Sequence, residues 1–234
     1  MSTNHIFNLT PPAGIPIHGT DQTFPVNRIF CVGRNYASHA REMGSNPDRE
    51  PPFFFTKPAD AIQSGCFCHL SYPPKTEDLH HEVELVIGLK EGGHNITQKN
   101  ALGHIYGVAV GLDFTRRDLQ ADAKNTGRPW DMAKGFDDSA IIGPMQPVSA
   151  NNIPKSGFIR LSVEGKQRQK GDLDEMIWSI SEVIAELSNY LTLQPGDLIF
   201  TGTPEGVSAV KPNDIIRAEI VDLPILTVKI EAPA

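Results

Sequence analysis

The chain has 234 residues, enough to bury a full core in one domain, and 28 acidic against 21 basic side chains give it a formal charge of −7. It has no basic run that could neutralise a phosphate backbone, so nucleic acid is not an expected partner. It also lacks any stretch of about 18 apolar residues and, in its first residues, the charged start and apolar core of a signal peptide, so a cytoplasmic protein with no membrane partner is expected.

Residues 1–27 carry Pro and Gly at short intervals and read as an N-terminal arm packed on a single catalytic domain, 28–234. The first strand signal is the apolar run 29–32, and Asn35 or Ser38 can cap a short helix that runs through Met43 and ends at Gly44. The polar turn residues of 45–50 follow, and this loop, with its Gly44 and Pro47 flanks, suggests that the helix carrying His39 acts as a lid that orders when substrate binds. Phe53 to Phe55 reads as a buried apolar run, and the turn-rich stretch 64–78 leaves room only for short strands. Cys31, Cys66 and Cys68 are an odd number without zinc-finger spacing, which fits reduced thiols rather than a disulfide framework.

Further strands are predicted at 82–89, 105–112, 158–164, 197–201, 214–221 and 225–231, where β-branched residues stand between Gly, Pro or Asp punctuation. The chain is therefore mostly β with a few helices. The clearest helix is predicted at 174–191, where Ile177, Ile180, Ile184, Leu187 and Leu191 recur at steps of three and four. A shorter one can start at Thr115, with Asp118 at capping-box spacing, and break at Asn125-Thr126-Gly127.

Strand alternation through His81-Glu82-Val83-Glu84-Leu85 sends Glu82 and Glu84 to one face and Val83 and Leu85 to the other. An E-x-E pair alone is usually a solvated strand face. Asp113, however, ends the apolar run 105–112 where a buried strand would normally finish in a neutral turn, so a third carboxylate is at hand. Three carboxylates suit Mg²⁺, Mn²⁺ or Ca²⁺. His80 and His81 keep zinc in view, but H-E-x-x-H is absent, and a histidine beside such a pair more often supports a ligand or sits satisfied in the core.

The motifs CVGRNYASHAREMG (31–44), FFFTKPADAI (53–62), LHHEVELVIG (79–88), GLDFTRRDLQ (111–120), RPWDMAKGFDDS (128–139) and GDLIFTGTPEGV (196–207) together resemble the fumarylacetoacetate hydrolase family, in its short acylpyruvate hydrolase branch. The resemblance implies a mixed, barrel-like β-roll, usually a homodimer, binding Mg²⁺ or Mn²⁺ through Glu82, Glu84 and Asp113. It places an acid/base pair on His39 and Glu42, which a helix sets on one face at i and i+3. It also implies a substrate-reaching lysine at Lys134, otherwise readable as a solvated loop residue, and a substrate hydroxyl at Thr203. Arg34, Tyr36, Arg117 and Gln120 fall in the pocket, although Arg117 with Asp118 could equally form a surface pair. The separate N-terminal domain and the fourth acidic ligand of longer family members have no match.

The activity this implies is hydrolysis of an acylpyruvate, a small acidic keto acid, at a carbon–carbon bond, with Glu42 taking the proton of water and Lys134 steadying the developing charge. The 53–62 and GRPW segments resemble the fumarylpyruvate-cleaving subgroup of aromatic-compound catabolism, and Arg34, Arg116 and Arg128 stand near matched motifs as partners for a second carboxylate. Oxaloacetate decarboxylation or isomerisation within the family is the rival, and a β-roll that binds metal or a small acid without turnover is the rival from another class.

Overall fold

The computed structural model describes Ile6, residues 14–42 and residues 50–233. Its centre is the antiparallel pair Val83–Leu89 and Ile105–Asp113, the two longest runs of the larger sheet. Every residue of Val83–Leu89 is buried, because the strand has apolar packing on both faces. Val83, Leu85, Ile87 and Leu89 point into the larger core cluster with Ile184 and Leu187, while Val86 joins Ile29, Cys31, Leu198 and Phe200 in a second cluster. That alternation puts Glu84 on the side of Val86, as the period of a strand requires.

The larger sheet runs Phe53–Lys57, Ile29–Gly33, Leu198–Phe200, Val83–Leu89, Ile105–Asp113, Ala140–Ile142, Ile62–Ser64, with Gln146–Pro147 also paired to Ile105–Asp113. It is mixed: Leu198–Phe200 runs parallel to Ile29–Gly33 and Ala140–Ile142 parallel to Ile62–Ser64, while the other pairs are antiparallel. The sheet curls into a half-barrel. A second sheet, Lys166–Asp172, Phe158–Val163, Ile215–Ile220, Leu226–Glu231, Phe67–Ser71, covers it. A small third sheet, Thr115–Arg116, Leu79–His81, Ser208–Ala209, lies against the end of the central pair. Ahead of residue 28, Ile15, Ile17 and Phe24 pack into the second cluster.

Several expected boundaries move, each for a local reason. The expected helix at 174–191 begins only at Ile180, capped by Ser179 with Glu182 in a capping box. Before it, Leu173–Glu175 is a 3₁₀ turn capped by Asp172, and Asn35 keeps residues 177 and 178 out of the helix by accepting from Trp178 N at 2.7 Å while its carbonyl accepts from Ile177 N at 2.8 Å. Asn35 therefore serves this junction and does not cap the helix Ala37–Glu42; the end expected at Met43 and Gly44 lies outside the described residues. Thr115 is a strand residue paired with His80, and the following helix is Arg117–Thr126, closed as expected by Gly127 in the left-handed region (φ 64°). Phe53 to Phe55 is an edge strand, half-exposed rather than buried. The strand Lys166–Asp172 has no apolar alternation, because its outward residues are solvated, and it pairs with Phe158–Val163 across the Glu164-Gly165 turn.

Candidate active site

The expected strand at 82–89 breaks at Glu82, between Leu79–His81 of the small sheet and Val83–Leu89 of the large one. The break keeps Glu82 beside Asp113, whose N–H donates to the Glu82 carbonyl at 2.9 Å, and the next register pair is Val83 with Leu112. Glu84 follows one step along the same face. Ligand oxygens of Glu82, Glu84 and Asp113 all lie within 4.8 Å of one another, and the three side chains are 5, 2 and 0 % exposed.

Three carboxylates at that spacing and depth need positive charge, and the chain supplies part of it. Lys134 Nζ reaches Glu82 Oε2 at 2.8 Å and Asp113 Oδ2 at 2.7 Å, Lys57 Nζ lies 2.7 Å from Asp113 Oδ1, and Arg117 pairs with Glu82. Burial alone would raise the Glu82 carboxyl, but Lys134 and Arg117 hold it well below the usual range. Burial would lower Lys134, yet Asp113 and Glu82 outweigh it and the ammonium is strengthened. Glu84 has no cation partner among the described residues. Its Oε2 accepts from Gly202 N at 2.6 Å, and burial followed by repulsion from Asp113 and Glu82 pushes its carboxyl well above the ordinary value. A divalent cation among the three would relieve that repulsion, so the all-oxygen donor set fits Mg²⁺ or Mn²⁺.

The histidines take no part in the cluster. His81 sits between Gln169 Oε1 at 2.8 Å and Ser208 Oγ at 3.0 Å, and burial pushes it down to about 4, so it is a neutral core group. His80 bonds Asp78. Gln169, a residue with no sequence signal inside its polar strand, ties the floor together: its Oε1 also accepts from Val83 N, and its Nε2 donates to Thr203 Oγ1 at 2.8 Å and to the Pro204 carbonyl. The Thr203 proton is thereby left for the cleft.

A narrow cleft opens over the triad. It brings together the triad, Lys134, Arg117, Gln120, Thr203, Arg34 and His39. Arg117 Nη1 donates to Gln120 Oε1 at 2.7 Å, while Asp118 turns away to Thr76 and the Glu77 N–H, so the alternative of an Arg117–Asp118 surface pair does not form. Lys134 is the last residue of a short helix, Asp131–Lys134, and buried, not a solvated loop residue. His39 Nδ1 lies 3.2 Å from Glu42 Oε2; His39 is in the wall and Glu42 stands behind it, anchored by Gly206 N at 3.1 and 3.2 Å. The His39 bond, with the Gly206 N–H, lowers the Glu42 carboxyl.

Besides Glu42, the structure leaves three expected residues out of the cleft. Tyr36 is fully buried behind the wall, its backbone bridged to Met176. Arg116 bonds the Met132 carbonyl and lies over the Phe136 ring, away from the triad. Arg128 is exposed beyond the end of its helix. Of the loop behind the helix expected to act as a lid, only Glu50 lies within the described residues.

A family model, Fumarylacetoacetate (FAA) hydrolase C-terminal, matches residues 28–231. The chain belongs to this family. It is 44 % identical over 184 residues to a fumarylpyruvate hydrolase of Ralstonia sp, covering 76 % of this chain and 93 % of the relative. It is 38 % identical over 196 residues to the mitochondrial oxaloacetate decarboxylase of Dictyostelium discoideum, covering 84 and 89 %. Among solved structures, the fumarylpyruvate hydrolase of Pseudomonas aeruginosa in complex with Mn²⁺ and pyruvate superposes with a TM-score of 0.95 at 49 % identity, over 98 % of this chain and all of that one. Within this family fold, Lys57 is, with Gln169 and Lys124, a site residue that the sequence reading passes over: it falls inside a motif, yet its ammonium is fully buried against Asp113.

Proposed function

We propose that this chain is a divalent-metal-dependent hydrolase that cleaves an acylpyruvate, foremost fumarylpyruvate, into a carboxylic acid and pyruvate. The reading is carried by one observation: a buried carboxylate triad shares a cleft with the histidine of a histidine–glutamate pair and an arginine–glutamine–threonine set. Glu82, Glu84 and Asp113 would hold Mg²⁺ or Mn²⁺, which supplies Lewis-acid polarisation of a keto oxygen when bound. The Mn²⁺ and pyruvate of the Pseudomonas structure support both the metal and the keto-acid end of the substrate.

The roles of the chain's own groups follow from their placement. Arg117, oriented by Gln120 and Glu82, presents cationic N–H groups for the pyruvate carboxylate, and Thr203 adds a hydroxyl donor. His39, the member of the pair that reaches the cleft, takes the proton of the attacking water, and Glu42 fixes the ring through Nδ1 and stabilises the imidazolium that forms. This exchanges the roles read from sequence, because Glu42 is set behind the wall. Water attacks the distal carbonyl, the bond between that carbon and the methylene of pyruvate breaks, and the proton held by His39 is available to the departing carbanion. Lys134, cationic at the edge of the triad, steadies negative charge as it develops.

Oxaloacetate decarboxylation is the second reading, favoured by the Dictyostelium relative; it needs no attacking water and so no base at His39. The test is to incubate the Mn²⁺-loaded protein with fumarylpyruvate and, separately, with oxaloacetate. Loss of the fumarylpyruvate absorbance with equimolar fumarate and pyruvate is expected; release of carbon dioxide from oxaloacetate with no loss of fumarylpyruvate would replace the first reading by the second.

A further inference from the structure

We propose that the outer half of the cleft is a subsite for a second carboxylate, at the far end of a planar acyl chain, with Lys124 as its specificity-determining residue and Arg34 beside it. The inference rests on the acylpyruvate reading and narrows it to acyl groups that themselves end in a carboxylate.

Aromatic rings lead from the triad to these two cations. Lys134 Nζ, which touches Glu82 and Asp113, lies 4.9 Å from the centroid of the Phe55 ring. Phe55 meets Trp130 at 6.0 Å and Trp130 meets Phe53 at 5.5 Å, both edge to face. Lys124 Nζ stands 5.1 Å from the Trp130 centroid, and the Arg34 guanidinium carbon 5.5 Å from that of Phe53. The wall is fixed in place by a glycine: a Cβ on Gly33 would fall 2.0 Å from Phe53 Cζ, so that ring occupies space no other residue would leave. A flat, conjugated chain anchored at the triad would lie along these rings and end between Lys124 and Arg34.

The charges differ between the two halves of the cleft. At the inner end, Lys57, Lys134 and Arg117 are each paired with a carboxylate. At the outer end, neither Lys124 nor Arg34 forms an ion pair among the described residues, in a chain with seven more acidic than basic groups. Lys124 is half-buried in the last turn of the helix Arg117–Thr126, and its ammonium is pushed down to about 8 by burial and then by Arg117 and Arg34. Arg34 holds a left-handed backbone, φ 57°, costly for a residue with a side chain, directly after the strand Ile29–Gly33. Cations crowded together in a substrate cleft, with no ion-pair partner among the described residues, are arranged for an incoming anion.

Fumarylpyruvate and crotonylpyruvate differ only at this end, where a methyl replaces the distal carboxylate. The Mn²⁺-loaded wild type, Lys124→Met and Lys124→Arg are compared on both by steady-state kinetics. In parallel, Glu42→Gln protein with and without Lys124→Met is titrated calorimetrically with each compound. Lys124→Met is expected to lower the ratio of kcat/KM for the two substrates roughly tenfold or more, the worth of one charge-assisted contact, and Lys124→Arg to restore most of it. The calorimetric preference for the dicarboxylate should fall in step. Equal losses on both substrates, or none, would overturn the subsite while leaving hydrolysis intact. If no variant turned over either compound, the hydrolase reading would fall, and the titration would still decide whether Lys124 reads the distal carboxylate.

Discussion

Lys57→Met tests whether the buried charges around the triad hold one another. The ammonium is fully buried, lies 2.7 Å from Asp113 Oδ1, donates to the Phe114 carbonyl at 3.1 Å and also bonds the Lys134 carbonyl. Methionine keeps the unbranched stem and removes the charge, leaving the Phe114 carbonyl short of a donor and Asp113 with Lys134 as its remaining counter-charge. Breaking a buried pair from one side costs about 3–5 kcal/mol, and the surviving Lys134 contact places this case near the lower end, about 3 kcal/mol. At roughly 2–4 °C per kcal/mol for a chain of this size, the apo protein should melt about 6–12 °C lower. Urea unfolding and calorimetry of the single variants and of Lys57→Met/Asp113→Asn close a double-mutant cycle. Removing the carboxylate as well should recover at least about 1 kcal/mol of the summed losses. Saturating Mn²⁺ should narrow the deficit, because the ion replaces positive charge at Asp113. A loss under about 1 kcal/mol, or a cycle that adds, would refute the view that Lys57 and Asp113 form one electrostatic unit.

Glu42→Gln should lower kcat for fumarylpyruvate about 10²–10⁴-fold through loss of the group that orients His39, with Mn²⁺ affinity by calorimetry changed less than about twofold. Gly202→Ala should cost about 1–3 kcal/mol in urea unfolding, since the residue has φ 101° and a Cβ would fall 2.7 Å from that of Asn35; because its N–H holds Glu84, Mn²⁺ affinity should also weaken roughly 10–100-fold. An alanine variant with unchanged metal affinity would remove Gly202 from the support of the site. Lys124, which faces Arg117, Arg34, Glu82 and Lys134, has its pKa lowered to about 8, so it is charged below that pH and loses its charge above it. KM for fumarylpyruvate should therefore rise as the pH passes through about 8, with no such inflection for crotonylpyruvate; parallel profiles would contradict a role for Lys124 at the distal carboxylate.

Much of the fold was legible because its strands are buried on both faces or alternate cleanly. Val83–Leu89 and Ile105–Asp113 carry β-branched residues bounded by turn formers, and their observed ends lie within a residue of those expected. What failed was where a polar side chain overrides a pattern. The isoleucine periodicity extended the expected helix back to 174, but Asn35, distant in sequence, pins residues 177 and 178 to itself and delays the helix to Ser179. Thr115 and Asp118 have capping-box spacing, yet Thr115 is taken by a strand pair with His80 and Asp118 by the turn at Thr76 and Glu77. Local spacing could not reveal either competitor, since both come from segments tens of residues away.

The carboxylates of the site could be read from the residues themselves, whereas of their counter-charges Lys134 and Arg117 came only through the family resemblance and Lys57 not at all, and the reason is chemical. A carboxylate inside or at the end of an apolar strand has no cheap explanation except a cation, so Glu82, Glu84 and Asp113 announce themselves. A lysine or arginine has a long apolar stem that is equally at home on a surface, so sequence position says little about where its head lies. Lys57 closes an edge strand and Lys134 a four-residue helix, yet both ammonium groups turn inward to Asp113. The arginines singled out by proximity to motifs divide the same way: Arg34 enters the cleft, whereas Arg116 lies over Phe136 and Arg128 is solvated. Lys124, seven residues beyond Arg117 and thus two helical turns along the same face, could have been placed near it by helical periodicity alone. Of the cations around the site, Arg34, Lys57, Arg117 and Lys134 lie inside the matched motifs, and Lys124, outside them, is found by asking which basic residues share a helix face with one already identified.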